Sequence, residues 1–422
     1  MTSRDPRPDT PPPLWEVVPI GEYAVPSTLD SATVRKKWSA LGRVFGMGSK
    51  RVQSPLRAET DLRALPRIKL EHLAPPIDWS HGAAALEDAL RDRAADGAPA
   101  SCVRVLVGQP FAGQAEILEQ WALAHEAAVI LPPNPEAILA GDTSPLDDWV
   151  GRMEAQPDCP WVLPRLEHWY FRHAGGLRLA RRLFEAAFAG RLGRGLIGCD
   201  SWAWAYLQRI WPFPGVEVLT LQGFDGRRLG VYFLESARAD RDKPVRFCHA
   251  KTGENLLPDP DSDSERDTPD RDDFPVSVEL KRLAAHCRGN LGIARIYWRN
   301  RLRAEPDGDD DTTEDVDADK SAMHPDEETV WLSAGIEDPV LPAETGEEVV
   351  LVLHALLLHN GPPEGVLPEL LPLSQDRILS ILLRMKDLGL VQAHSDRWRI
   401  APLGYATARE ALRARGYLID AF

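Results

Sequence analysis

The sequence predicts an α/β fold: a parallel sheet flanked by helices, followed by a small helical segment and a C-terminal winged helix. Three observations predict it. Short apolar runs alternate with runs of helical period between residues 76 and 237, the rhythm of a parallel sheet with helices on both faces. One of those runs, Val103–Val107, enters a Gly108-x-x-x-x-Gly113 turn that opens a helical run. From residue 345 onward, three helical runs precede an alternating segment with a turn at its centre.

Residues 1–30 are Pro-rich and polar, and little regular structure is expected there. Residues 34–69 hold ten Lys or Arg against two acids, with Trp38, Phe45 and Met47 interspersed. Residues 76–97 read as a helix entered through Pro-Ile-Asp-Trp-Ser, with Asp78 or Ser80 as cap and Leu86 and Leu90 on one face. Val103–Val107, Ala127–Leu131, Trp161–Leu163, Arg194–Cys199 and Val216–Leu221 read as strands; Glu116–Glu126 and Leu177–Gly190 read as helices. Residues 276–303 are helical with an interruption at Gly289–Gly292. The last segment reads as helices Glu348–His359, Leu367–Leu371 and Ser374–Leu388, with Gly389 as C-cap. A hairpin over Val391–Ile400 and a helix Ala406–Arg415 follow, with the tail Tyr417–Phe422 packing behind.

Composition narrows the function classes. The 422 residues allow two or three domains, and 44% hydrophobic content is that of a globular protein. No apolar run is long enough to span a membrane, and the N-terminus lacks an export core, so a cytoplasmic location is expected. The five cysteines are dispersed and form no C-x-x-C pair, which predicts free thiols and no metal site. Neither histidine pair, His168/His173 or His354/His359, has metal spacing, and no H-E-x-x-H or G-x-S-x-G motif is present. The net charge of −15 is local: residues 254–273 carry −7 and residues 305–328 carry −11, leaving +3 for the rest. Such runs bury too little apolar area to offset ordering entropy, so both read as linkers.

A phosphate loop works by aiming backbone N–H groups and a helix N-terminus at phosphate oxygens. Gly108 and Gly113 keep that frame, but Gln114 stands at the Lys position and Ala115 at the Mg²⁺-binding Ser/Thr position. A Gln can donate a neutral hydrogen bond and neutralises no charge, whereas a charged hydrogen bond is worth about 1.5–3 kcal/mol. Ala cannot ligate Mg²⁺, on which phosphoryl transfer depends. The strand Trp161–Leu163 ends in Pro164 and Arg165 where acids would hold the metal, and Glu167 is the nearby carboxylate. Asp200 or Ser201, after the next strand, can stand where a γ-phosphate sensor lies. Arg288 precedes the Gly289-Asn290-Leu291-Gly292 turn at the place of a second sensor, with Gly292 near the position where an Arg is expected.

This ordered series, together with the C-terminal helices and hairpin, resembles AAA+ and STAND-type P-loop ATPases, most nearly the replication-initiator arrangement in which an AAA+ module carries a winged helix. The resemblance covers residues 76–422. It implies a P-loop NTPase-like domain over 76–237, an acidic disordered insertion over 238–275, a helical lid over 276–303, an acidic linker over 304–344 and a winged helix over 345–422, after a basic, partly disordered region 1–75. The loop itself leaves four readings: a plain strand-to-helix turn, a module that binds nucleotide without hydrolysis, an interaction scaffold, or residual hydrolysis. The coordinated loss of Lys, metal ligand and acids favours a pseudo-ATPase that regulates or scaffolds through protein contacts. No cofactor is required on this reading; ATP or ADP would bind weakly and without a conventional Mg site.

The alternative is a DNA-associated ATPase-like factor. Its helix Ser374–Leu388 would offer Arg377, Arg384 and Lys386, and its wing Arg397, Trp398 and Arg399. Residues 346–422 carry eight bases and nine acids, however, and duplex DNA demands phosphate neutralisation, so protein contact is the stronger reading. Arg35, Lys36, Lys37, Lys50 and Arg51 suit an anionic partner better: DNA, an anionic membrane surface, an acidic protein face or the chain's own acidic runs. The stripe Trp202, Trp204 and Tyr206 reads as core, with base stacking as the rival use.

Overall fold

The computed structural model describes residues 13–27, 62–95, 103–156, 158–211, 215–238, 245–258, 276–305 and 328–422. Arg35, Lys36, Lys37, Lys50 and Arg51, and most of both acidic runs, lie outside the described residues. Along the chain the strands are β1 (Val17–Pro19), β2 (Arg63–Ala64), β3 (Val103–Gly108), β4 (Ala128–Val129), β5 (Trp161–Leu163), β6 (Gly195–Asp200), β7 (Glu217–Leu221), β8 (Val245–His249), β9 (Leu302–Ala304), β10 (Glu328–Leu332), β11 (Val391–His394) and β12 (Arg397–Ile400). They group into two compact units. One gathers the described residues of Trp15–Ala24, Ile77–Gly223 and Glu337–Phe422; the other gathers those of Phe224–Ile336 with the described parts of the N-terminal region.

The first unit is built on a six-stranded sheet in the order β1-β7-β3-β6-β5-β4. All pairs are parallel except β1, which lies antiparallel on the β7 edge with Val17 opposite Leu221. The two central strands are apolar on both faces, as a sheet covered by helices requires. Leu106 and Leu196 enter a cluster with Leu86 of the Ser80–Ala95 helix and Ile117 and Leu118 of the Gln114–Ala124 helix. Val105, Val107, Ile197 and Cys199 alternate to the opposite face and are equally buried. The Ser80–Ala95 helix begins as the sequence indicates, the Asp78 carboxylate accepting from the Ser80 N–H at 2.9 Å.

Gly195 is required by its neighbour. Trp161 of β5 lies opposite it, fully buried, and its indole fills the space a Cβ on Gly195 would need. The indole Nε1 donates to the Leu192 carbonyl at 2.6 Å, which fixes the ring in place. Gly195→Ala should therefore lose about 1–3 kcal/mol through overpacking. Urea unfolding should show a lower midpoint at unchanged slope.

The C-terminal part of this unit has helices Glu347–Leu358, Leu367–Leu370 and Gln375–Asp387, the antiparallel hairpin β11–β12, and the helix Tyr405–Ala414. Ser374 caps the third helix by accepting from the Arg377 N–H, and Gly389 follows its end with φ +74°. The Glu347–Leu358 helix is apolar nearly all round because it is buried nearly all round.

The second unit has a four-stranded sheet, β2-β9-β10-β8, and the helices Arg67–Leu73, Gly226–Arg238, Val278–His286 and Leu291–Arg301. Phe233 stacks on Trp298 at 4.4 Å, and Phe247 joins them. Asn290 caps the last of these helices, its Oδ1 accepting from the Ile293 N–H at 3.1 Å.

Three expectations need correction. The Pro-rich start supplies an edge strand, since Val17-Val18-Pro19 has an apolar residue to bury and Pro sits at an edge. Residues 245–258, inside the expected acidic disordered insertion, hold β8, and residues 328–332, inside the expected acidic linker, hold β10. Val330, Trp331 and Leu332 are fully buried, and this core of β10 outweighs the charge of the run that precedes it.

Candidate nucleotide-type site

Parallel α/β sheets offer ligands the crevice beyond the carboxyl ends of their strands. Here that edge carries Gly108 at the end of β3 and Asp200 at the end of β6, paired in register. The chain turns through Phe111 (φ +70°) and Gly113 (φ +83°), and Gln114 opens the helix. The side chain of Gln114 folds back over the loop: a Cβ placed on Gly108 would lie 2.6 Å from its Oε1. Gln114 is buried at 5% exposure, and Ala115 behind it at 1%. Trp79 closes the other side, its ring standing where a Cβ on Gly113 would project. Gln109 donates through Nε2 to the Tyr23 hydroxyl at 3.1 Å, and the Tyr23 ring meets Phe422 edge-on at 4.8 Å.

Arg165, in the place of a metal-holding acid, forms an ion pair with Glu116 of the loop's helix at 2.8 Å and approaches Glu119 at 3.9 Å. Burial raises the Glu119 carboxyl and Arg165 opposes the rise. Among the described residues no group of three His, Cys, Asp or Glu side chains is arranged to hold a metal ion.

Glu167 and Asp200 are brought together and removed from water. Glu167 is 1% exposed and Asp200 fully buried. The Asp200 N–H donates to Glu167 Oε2 at 3.1 Å, and Asn360 Nδ2 donates to Glu167 Oε1 at 3.4 Å. Asp200 Oδ1 caps the Ser201–Ile210 helix by accepting from the Trp202 N–H at 3.0 Å. Burial raises the Glu167 carboxyl, with Arg165 pulling the other way. Burial, and then the Glu167 charge, push the Asp200 carboxyl well up. Through these two bonds Glu167 ties the end of β6 to Asn360, which follows the Glu347–Leu358 helix.

Ser201 donates to Asp420 Oδ2 at 2.6 Å, and the Tyr405 hydroxyl donates to the same oxygen at 3.1 Å. Arg409 Nε donates to Asp420 Oδ1 at 3.1 Å, and Arg409 Nη2 to the Phe422 carbonyl at 2.9 Å. Trp202 Nε1 donates to the Tyr405 hydroxyl at 3.1 Å. Trp202 and Trp204 of the aromatic stripe are buried core, and the half-buried Tyr206 stacks on Tyr170 at 5.9 Å.

Next to Glu167 the segment 168–172 docks on the end of the Glu347–Leu358 helix. The Tyr170 hydroxyl donates to the Leu358 carbonyl at 3.2 Å, and His359 Nε2 accepts from the Arg172 N–H at 3.4 Å. Burial drives His168 down to about 4, helped by Arg397 and Arg165. Burial also lowers His354 to about 4 and His359 to about 3, with Arg172 adding to both.

The remaining sequence candidates are dispersed. Arg288 adopts φ +53° in the second unit. Arg377 pairs with Glu348 at 2.6 Å, and Arg397 donates to the Gly361 carbonyl at 2.9 Å. Trp398 is buried and donates to Glu364 at 2.7 Å, so it is core and no surface contact. Arg384 and Lys386 are exposed, and Arg399 is half-buried. Sequence reasoning missed Trp79, Tyr23, Asn360, Arg409 and Asp420. One signal was available: Asp420 is an acid set in the apolar tail Tyr417-Leu418-Ile419-Asp420-Ala421-Phe422.

Counted by their turn in the chain, the parallel strands run 5-1-4-3-2, with β6 between the loop strand β3 and the strand β5 that ends at Arg165. A parallel-dominated sheet with the loop strand at its centre agrees with the P-loop-type α/β fold that the sequence predicts. Comparison with known proteins finds no matching family model and no matching curated protein. Among solved structures, the Walker-type ATPase PABY2304 of Pyrococcus abyssi is 12% identical over 79% of this chain and 96% of that one, with a TM-score of 0.29. The ORC2 protein of Aeropyrum pernix, solved in ADPNP and ADP complexes, is 15% identical over 81% and 96%, with a TM-score of 0.35. A STAND protein with a tetratricopeptide-repeat sensor from Pyrococcus horikoshii is 11% identical over 85% of this chain and 44% of that one, at 0.28. No described helix is long and apolar enough to cross a membrane.

Proposed function

We propose that this chain is a pseudo-ATPase: a cytoplasmic regulatory or scaffolding protein that acts through protein contacts and binds nucleotide weakly or not at all. The observation that carries the reading is Gln114 folded back over Gly108, with Trp79 packed against Gly113. The loop keeps its backbone turn while uncharged side chains stand against both of its glycines. Arg165, neutralised by Glu116, supports it from the neighbouring strand. The winged-helix reading of the C-terminal helices and hairpin serves protein contact here. Use on DNA finds little support in a segment where Trp398 is core and Arg377 is paired.

Thermal unfolding with ATP or ADP, with and without Mg²⁺, tests this. A ligand at 100 times its Kd stabilises by about 2.7 kcal/mol. The expected result at millimolar nucleotide is no shift and no phosphate release. A clear shift with release of phosphate would remove the proposal.

A further inference from the structure

We propose that Ser201, Tyr405 and Arg409 form an anion cradle at the carboxyl edge of the sheet, and that Asp420 is its built-in occupant, exchangeable for a phosphate-class anion. The inference rests on the pseudo-ATPase reading and adds to it a way of regulating the same face. Three donors, one from the start of the Ser201–Ile210 helix and two from the Tyr405–Ala414 helix, converge on one carboxylate: a serine hydroxyl at 2.6 Å, a tyrosine hydroxyl at 3.1 Å and a guanidinium N–H at 3.1 Å. The guanidinium also holds the backbone two residues on, through the Phe422 carbonyl. Asp420 and Arg409 are both buried. Such a set supplies donors and positive charge, the chemistry that recognises carboxylate or phosphate oxygens.

The place of the cradle gives it meaning. Ser201 follows Asp200, which is paired with Gly108 of the loop. Phe422 covers Tyr23, which receives the Gln109 side chain of the same loop. The tail thus straps the edge from the loop to the end of β6, where a nucleotide's phosphates would lie in a working site. Burial, and then Glu167, push the Asp200 carboxyl beside the cradle well up. Gly416, at φ +70°, closes the Tyr405–Ala414 helix, with the Tyr417 N–H donating back to the Leu412 carbonyl at 3.0 Å, and the tail that follows has no regular structure.

The test is rescue by added anion. Asp420→Ala empties the cradle and removes the carboxylate that Arg409 Nε holds. Its thermal midpoint is measured with inorganic phosphate, pyrophosphate and ATP, each without Mg²⁺, against chloride at equal ionic strength. Asp420→Ala should melt below the parent and gain roughly 4 °C or more from a phosphate-class anion. The parent, whose own carboxylate competes for the site, should gain less than Asp420→Ala, and Asp420→Ala combined with Arg409→Met should lose the gain. Rescue by phosphate and pyrophosphate identifies a simple phosphate group as the ligand; rescue by ATP alone identifies a nucleotide. A folded Asp420→Ala with no anion-specific gain, or a gain that survives Arg409→Met, overturns the cradle. Should Asp420→Ala not fold, Phe422→Ala loosens the strap with all three donors intact, and pyrophosphate should then raise its midpoint; no rise there overturns the cradle equally. A parent that is stabilised by ATP and releases phosphate when Mg²⁺ is added would instead remove the pseudo-ATPase reading, so the two failures are distinct.

Discussion

Arg409→Met should destabilise the protein by about 3–5 kcal/mol, because it leaves the Asp420 carboxylate buried without its countercharge. The distinction between removing a pair and breaking one decides the magnitude. A buried ion pair adds little against an apolar replacement of both partners, since desolvation cancels most of the attraction. Removing one partner strands the other. Ser201 and Tyr405 would still donate to Asp420, so the loss should fall short of a fully isolated charge. Adding Asp420→Asn removes the stranded charge and should recover part of the loss, giving a coupling energy of at least about 1 kcal/mol in a double-mutant cycle. Equal and additive losses in urea unfolding would show that the pair is not a unit.

The fold was legible where it is carried by local pattern. Val103–Val107, Trp161–Leu163, Arg194–Cys199 and Val216–Leu221 are apolar runs of strand length, and each is a strand within a residue or two. The Leu177–Gly190 helix and the capped helix after Ser374 were equally visible. Helices Pro135–Ala140, Ser144–Ala155 and Gly226–Arg238 went unread, and so did β8 and β10. For β10 the reason is physical. Charge averaged over 304–344 reports the acids, while the five residues Glu328–Leu332 are decided by where Val330, Trp331 and Leu332 can be buried.

The candidate site divides the same way. Which residues replace the lysine, the hydroxyl and the acids can be counted from the sequence. What fills the space they leave cannot, because it depends on contacts far apart in the chain. Asp420 reaches Ser201 across 219 residues, and Asn360 reaches Glu167 across 193. The inward turn of Gln114 is a choice of side-chain direction that no spacing rule contains. Together these contacts alter the meaning of the motif. Beyond the missing catalytic groups, Asp420 and Asn360 join the sheet edge to the C-terminal helices.

Acid should loosen that junction, and the sign follows from its histidines. His168, His354 and His359 have folded values of about 4, 4 and 3 against an ordinary 6.5, so each is held neutral by burial. A depressed value contributes stability that is present above pH 6.5 and is lost as pH falls toward the folded value. Each such group costs up to about 1.4 kcal/mol per pH unit, so three set a ceiling of about 4 kcal/mol per unit between pH 6.5 and 4. The raised carboxyls of Glu167 and Asp200 act oppositely: their contribution is present at low pH and lost as pH rises, which blunts the slope in the same window. His359→Gln isolates one histidine. Glutamine can still accept from the Arg172 N–H, but it cannot take up the proton. It should cost some stability at pH 7.5, where the ring's contacts with Tyr170 and Phe171 are lost. Between pH 6 and 4 the variant's stability should fall less steeply than the parent's, by up to about 1.4 kcal/mol per unit. Parallel urea-derived curves would show that His359 takes up its proton as readily in the folded chain as in the unfolded one, and that the junction is not acid-sensitive through it.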